Sequence, residues 1–141
     1  MSPRPQSRTA SCSKKEARTR LEQARKFYEV ADLAKDEADT IDASASVAAS
    51  LAVLAGIAAA DAACCAALGM RSRGQSLRDA VELVSQLQPS GTDAGRKLDR
   101  LLSLKDTAHY GVISISGSDL AAALRNANGL VVFATNVLLR A

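Results

Sequence analysis

The chain has 141 residues, of which 48% are hydrophobic and 23% are charged, and its net charge is +3. This length suits one domain with a single core and leaves little room for a second. Alanine supplies much of the apolar fraction and there is no tryptophan, so the composition favours closely packed helices. The small charge excess does not by itself indicate a nucleic-acid-binding protein.

The first twelve residues combine prolines, serines and arginines without apolar periodicity. They are expected to form a disordered basic tail, followed by a single domain over 13–141. The segment lacks the apolar core of a secretory signal. With an odd cysteine count and no metal-ligand spacing, Cys12, Cys64 and Cys65 are predicted to be reduced, partly buried thiols of a cytoplasmic protein.

From about Ser13, apolar residues recur at every third or fourth position, which predicts a first amphipathic helix that continues to Ile41. A run of residues that favour N-caps, within 40–46, then predicts a turn before a second, alanine-rich helix. This second helix is expected to end near Leu68, where Gly69 supplies the stop.

The alanine-rich segment 47–68 is also long enough to cross a bilayer, which takes roughly 20 apolar residues. Asp61 would cost about 2.5 to 3.5 kcal/mol near the centre of a lone span. A central helix surrounded by other helices is therefore the better interpretation, and no membrane association is expected. Because Asp61 shares its face with Leu54, Ile57 and Cys65, its carboxylate is expected to be buried and to need a partner.

Capping residues and apolar stripes predict three more helices, which begin near Ser76, near Thr92 and near Ser116 or Ser118. The alternating segment 112–116 is expected to be an extended connector, because a single strand has nothing to pair with. The expected fold class is all-α, an antiparallel bundle of four to five helices. Val132 and Phe133 widen the apolar face of the last helix, which suggests a homodimer.

The fourth predicted helix carries the only histidine of the chain. His109 follows Lys105 by one helical turn, so the two share a face with leucines. A cation in an apolar stripe is costly unless it is paired, lines a cleft or meets a ligand. Arg71 and Arg73 flank a predicted loop and are candidates for contacts with RNA phosphates. No zinc spacing or phosphate-binding loop is visible, so neither a metal nor a cofactor is expected.

Three segments resemble the HEPN superfamily (higher eukaryotes and prokaryotes nucleotide-binding domains), and more closely its small bacterial members of actinobacterial type. They are 55–64 (AGIAAADAAC), 69–76 (GMRSRGQS) and 101–111 (LLSLKDTAHYG), and the resemblance covers about 20–141. It implies a dimeric RNA-binding protein or metal-independent endoribonuclease in a toxin, stress or phage-defence setting. It also implies an antitoxin or another protein as a partner.

Many HEPN nucleases have an arginine, an adjacent polar residue, a short spacer and a histidine. Here Lys105 stands where that arginine would be, Asp106 follows, and His109 comes after three intervening residues. The resemblance implies that the RNA 2′-hydroxyl attacks the phosphate, with His109 moving protons and Lys105 neutralising charge. Tyr110 would donate to a phosphate or stack on a base. The candidate catalytic set consists of Lys105, His109 and Tyr110 together with Asp61.

A second interpretation stays open from the sequence. Asp61 and Lys105 would form a buried ion pair between the second and fourth helices, and His109 would interact with the dipole at a helix C-terminus. The protein would then be a non-catalytic dimerisation or protein-interaction module. The two interpretations differ in whether Lys105 is paired with Asp61 or opens onto a cleft.

Overall fold

Five helices and two short strands make up the described part of the chain. The computed structural model describes residues 8–36, 41–73, 77–110 and 115–141, and for 41–42 and 106–110 it describes the helical backbone alone. The elements in chain order are β1 (Thr9–Ser11), α1 (Lys14–Ala34), α2 (Ile41–Leu68), β2 (Met70–Ser72), α3 (Leu77–Ser85), α4 (Gly91–Tyr110) and α5 (Gly117–Arg140). The predicted all-α fold class is confirmed.

Helix α1 begins at Lys14, close to the start that the apolar period predicts near Ser13. The hydroxyl of Ser13 accepts a hydrogen bond from the backbone N–H of Glu16, 3.1 Å away, and so satisfies one N–H that the helix itself leaves unpaired. Ala17, Leu21, Ala24 and Ala31 form its buried side. The helix ends at Ala34, whereas the apolar period of the sequence predicts a helix that continues to Ile41. Residues 37–40 lie outside the described part.

Helix α2 is the centre of the bundle, with α1, α4 and α5 packed around it. Its alanines allow close approach, and at Gly56 a Cβ would collide with the side chain of Leu101 on α4. Leu98, Leu101 and Leu130 are among the largest fully buried side chains around it. The helix stops at Gly69, whose φ of +70° is the left-handed conformation that glycine adopts readily.

Two helices, Ala43–Leu68 and Gly117–Arg140, are long and apolar enough to cross a membrane. Length and composition alone are weak evidence for a span. In the first helix, 72% of the most apolar window is buried inside the fold, so packing against other helices accounts for its apolar character.

The chain before α1 is ordered from residue 8 onwards, which corrects two predictions. Strand β1 pairs antiparallel with β2, with Ala10 opposite Arg71, so the predicted disordered tail is wrong for residues 9–12. Cys12 and Cys65 form a disulfide with a Cα–Cα distance of 5.5 Å, so the prediction of three reduced thiols is wrong for these two. Both errors involve partners distant in sequence, which a local pattern does not reveal. Residues 1–7 lie outside the described part.

The remaining helices begin close to their predicted starts. Helix α4 starts at Gly91, one residue before Thr92. Helix α5 follows the N-cap Ser116, whose hydroxyl accepts from the backbone N–H of Asp119 at 3.0 Å. The predicted connector 112–116 falls mostly outside the described residues.

Candidate functional site

Asp61 pairs with Arg20 of α1. The Nη2 and Nε atoms of Arg20 lie 3.1 and 3.2 Å from Oδ2 of Asp61, and Asp61 is 8% exposed. Burial raises the pKa of the Asp61 carboxyl, and this effect exceeds the lowering by the charge and hydrogen bonds of Arg20 and by the charge of Arg71. The carboxylate is therefore part of a structural contact between α1 and α2.

The predicted ion pair between Asp61 and Lys105 is wrong, and the reason is the direction of packing. Near the end of α4, Leu104 packs in a cluster with Ala45 and Ala49 at the start of α2. At 1.5 Å rise per residue, Ala49 and Asp61 are about 18 Å apart along α2. Asp61 therefore does not join the other members of the candidate catalytic set.

Lys105 lies beside an open groove of about 300 Å³ between α3 and α4, called the α3–α4 groove below. The groove is lined by Leu77, Arg78, Asp99, Leu102, Ser103 and Lys105. Lys105 is half-buried, and no salt bridge within the described residues includes it. The structure thus leaves a partly desolvated cation at the wall of a cleft.

A second cation in the groove has a partner at the surface. Nη1 of Arg78 lies 3.0 Å from Oδ1 of Asp99, and both side chains are well exposed. The hydroxyl of Ser103 donates to the backbone carbonyl of Asp99 at 3.0 Å, which adds a polar atom to the same wall. An exposed ion pair of this kind contributes about 0 to 1 kcal/mol, so an incoming anion can compete for Arg78.

Helix α4 continues through His109 and Tyr110, as the predicted catalytic motif requires. Lys105 and His109 are thus four residues apart in one continuous helix. The side chains of 106–110 lie outside the described residues, so the roles assigned to His109 and Tyr110 stay predictions.

Arg71 lies in strand β2 of the two-stranded β1–β2 ribbon, and Arg73 follows directly after β2. Arg71 is half-buried in β2, and its Nη1 donates to the carbonyl of Ser72 at 3.1 Å. Arg73 is exposed, and its backbone N–H donates to the carbonyl of Arg8 at 3.0 Å. Arg8 is also exposed and lies 3.5 Å from Asp79. The ribbon therefore collects three arginines just before α3 begins.

Sequence reasoning missed Arg8, Arg20 and Arg78. Arg8 and Arg78 lack a distinguishing local pattern, since their neighbours come from β2 and α4. A signal for Arg20 was available, because a buried carboxylate requires a counter-charge and Arg20 lies one turn before Ala24, beside the buried side of α1. Choosing it over Lys105 requires the direction in which the helices pack.

The free thiol of Cys64 lacks the exposure and the low pKa that a nucleophilic cysteine has. Cys64 is buried beside the disulfide, and burial, with a contribution from the charge of Asp61, raises the pKa of its thiol to about 12. Within the described residues, no three His, Cys, Asp or Glu side chains come together as they would around a metal ion.

A comparison with models of protein families and with curated proteins finds no match for this chain.

Proposed function

We propose that the protein is a HEPN-like RNA-binding protein whose α3–α4 groove holds RNA phosphates. The observation that carries this proposal is that Lys105 is half-buried at the groove and is not neutralised by Asp61. A cation in that position gains from an anionic ligand, because its own solvation is already reduced. The RNA backbone supplies such anions at regular spacing.

We propose that the RNA backbone continues from the α3–α4 groove onto the ribbon of β1 and β2. Arg73 is exposed and Arg78 lies one residue into α3, so basic side chains occur on both sides of the α3 start. Arginine suits phosphate because its planar fork forms two parallel hydrogen bonds. Lys105, Arg78 and Arg73 are therefore the proposed phosphate contacts, and Arg71 is a weaker candidate because it already bonds to Ser72.

Metal-independent cleavage is the second part of the proposal. The 2′-hydroxyl would attack the adjacent phosphorus while the bond to the 5′-oxygen breaks, which leaves a 2′,3′-cyclic phosphate and a 5′-hydroxyl. His109 would take the proton from the attacking hydroxyl and return one to the leaving oxygen. Lys105 would offset charge on the phosphorane, although it lacks the bidentate geometry of arginine. Asp61 has no role in this reaction.

We further propose that the protein is a cytoplasmic homodimer. Its proposed role is in a toxin, stress or phage-defence system, and its proposed partner is an antitoxin or another protein. The disulfide between Cys12 and Cys65 argues against the cytoplasmic location, because disulfides persist in oxidising compartments. Determining the redox state of the protein isolated from its native cell, by alkylation and mass measurement, tests the cytoplasmic assignment.

The decisive experiment measures binding and cleavage of labelled single-stranded RNA in excess chelator. Lys105→Met should weaken RNA binding severalfold. It should also reduce the slope of log K against log[salt] by about 0.7 in magnitude, the value for one phosphate contact on a single strand. Lys105→Arg should preserve binding. Lys26→Met is the matched control, because Lys26 is an exposed lysine on α1, paired with Glu29 and away from the groove.

Cleavage is tested in the same samples with His109→Gln. Loss of the cyclic-phosphate product with binding intact would support proton transfer by His109. Unchanged cleavage in His109→Gln would contradict that role, and equal RNA affinity in wild type, Lys105→Met and Lys26→Met would contradict the groove as the binding site.

The second candidate function, a helical interaction module, is favoured by one specific observation. Val132 on α5 is 51% exposed, and the neighbouring Phe133 is half-buried. We propose that this face joins a second copy of the chain. Sedimentation should then show a dimer that dissociates in Val132→Glu but persists in Val30→Glu, a comparable exposed site on α1. A monomeric wild-type protein would exclude the homodimer in this proposal and in the RNA-binding proposal alike.

A further inference from the structure

A cavity of about 310 Å³ lies between α1 and α5, at the end of the bundle where α1 begins. Leu21, Ala66 and Leu138 form its apolar lining, and Lys14, Arg18 and Leu139 stand at its rim. Leu21 is buried, whereas Lys14 and Arg18 are exposed. The cavity therefore combines a leucine-lined interior with a basic entrance, and it is separate from the α3–α4 groove.

Two cations of the cavity lining, Lys14 and Arg18, are not paired with the one acidic side chain of the lining. That side chain is Glu22, but Oε1 of Glu22 lies 2.7 Å from Nη1 of Arg25. Arg25 in turn donates to the hydroxyl of Thr135 at 3.2 Å. Within the described residues neither Lys14 nor Arg18 takes part in a salt bridge. Because these two lie one helical turn apart, they point to the same region of the entrance.

We infer that this cavity binds a single-chain anionic amphiphile, such as a medium-chain carboxylate. The apolar side chains of the lining remove part of the surface of an alkyl chain from water, and Lys14 and Arg18 neutralise the head group. The volume lies at the lower end of the range for small-molecule sites. At about 30 Å³ for each water-sized group, it holds on the order of ten non-hydrogen atoms. That size fits a chain of about eight to ten carbons.

The small side chain of Ala66 helps to keep this volume open. Ala66 is a half-buried residue of α2 at the floor between α1 and α5. A leucine at this position would place its side chain into the space assigned to the alkyl chain. Ala66→Leu therefore removes the apolar volume without removing a charge, whereas Arg18→Glu reverses a charge without changing the floor.

The test is calorimetric titration of the full chain with decanoate below its micellar concentration, with acetate and octylammonium as controls. Decanoate should bind, acetate should not because it lacks the chain, and octylammonium should not because its charge is reversed. Arg18→Glu and Ala66→Leu should each weaken decanoate binding by about tenfold or more. Lys26→Glu, an equal charge reversal on α1 outside the cavity, should leave the affinity unchanged.

Three outcomes would overturn the inference: no heat with decanoate at millimolar concentration, equal binding of octylammonium, or equal effects of Arg18→Glu and Lys26→Glu. If Ala66→Leu does not fold, the amide chemical shifts of the wild type provide the test instead. Decanoate must then shift the amide signals of residues in α1 and α5 rather than those of residues in the α3–α4 groove.

A separate experiment distinguishes a free amphiphile from a lipid head group. Co-sedimentation with phosphatidylglycerol vesicles, lost in Arg18→Glu, would place the ligand in a membrane and contradict a free ligand.

Discussion

Two polar regions of this bundle are built in opposite ways. At the end of α2, Asp61 is bound by Arg20 and Cys65 is bound by Cys12; these two links and the β1–β2 pair are called the clasp. In the α3–α4 groove, Lys105 lies half-buried without an ionic partner in the described structure. Both regions begin from the same sequence signal, a charged residue in an apolar stripe.

The difference shows that a polar residue in an apolar stripe does not reveal its role until its neighbours are known. Where an adjacent helix supplies a counter-charge, the residue stabilises the packing of two helices. Where none is supplied, the residue remains available to a ligand. The same substitution should therefore be costly to stability in the clasp and nearly neutral in the groove.

The largest effect on stability is expected for Cys12→Ser. The disulfide closes a loop with a sequence separation of 53, and the chain-entropy account gives about 4 kcal/mol for a loop of that length. Urea unfolding without reductant measures the loss. Reductant should lower the free energy of unfolding of the wild type to that of Cys12→Ser, and it should leave the value for Cys12→Ser unchanged.

Cys64→Ser is the matched control for the disulfide. It changes the neighbouring cysteine, which is free and buried, and it should lose much less stability than Cys12→Ser because the disulfide persists. Equal stability of Cys12→Ser and wild type in the absence of reductant would contradict a stabilising clasp.

Removing either partner of the Arg20–Asp61 pair should have unequal effects. Arg20→Met leaves a buried carboxylate without its hydrogen-bonding partner and should cost about 2 kcal/mol at pH 7. Asp61→Asn should cost about 1 kcal/mol, because the Arg20 side chain is 32% exposed and remains hydrated. Urea unfolding of both variants at pH 7 measures the difference, and equal costs would contradict it.

The pH dependence of Arg20→Met follows from the raised pKa of Asp61. A carboxyl whose folded pKa lies above its ordinary value of 3.8 binds protons more tightly in the folded state. Its contribution to stability is then greatest below that ordinary value and is lost as pH rises through the folded pKa. Arg20→Met raises this folded pKa further, so its deficit against wild type should shrink between pH 7 and pH 4. A constant deficit would contradict the assignment.

A smaller effect is expected at the turn between α2 and β2. Gly69 has a φ of +70°, and a Cβ there would meet no atom within 4 Å. The cost of Gly69→Ala should therefore come from backbone conformation alone, about 1 kcal/mol. Gly117→Ala is the control, because its Cβ also meets nothing within 4 Å and its φ is not positive. Equal thermal midpoints for the two variants would contradict this reason.

The smallest effect is expected for Lys105→Met, the same type of change as Arg20→Met. Because Lys105 has no ionic partner among the described residues, the stability of this variant should stay within about 0.5 kcal/mol of the wild type. Urea unfolding measures it beside Arg20→Met at pH 7. A loss as large as that of Arg20→Met would show that Lys105 is structural and would remove the basis for the RNA proposal.

The sequence by itself determined the five helices, most of their starts, the stop at Gly69 and the burial of Asp61. Each of these depends on the 3.6-residue period or on a cap within four residues, which are properties of neighbouring positions. The role of His109 is still a prediction from the spacing in the 105–110 segment.

Only the tertiary structure decided which residues meet. The antiparallel packing of α1 on α2 brings Arg20 to Asp61 and Cys12 to Cys65, and the position of α4 places Lys105 at the other end of α2. The pairing of β1 with β2 likewise joins segments on either side of two helices. Periodicity identifies the buried face of a helix, but it does not identify the neighbour or the direction of packing. Those depend on contacts distant in sequence, and they decide whether a buried charge is paired or left open.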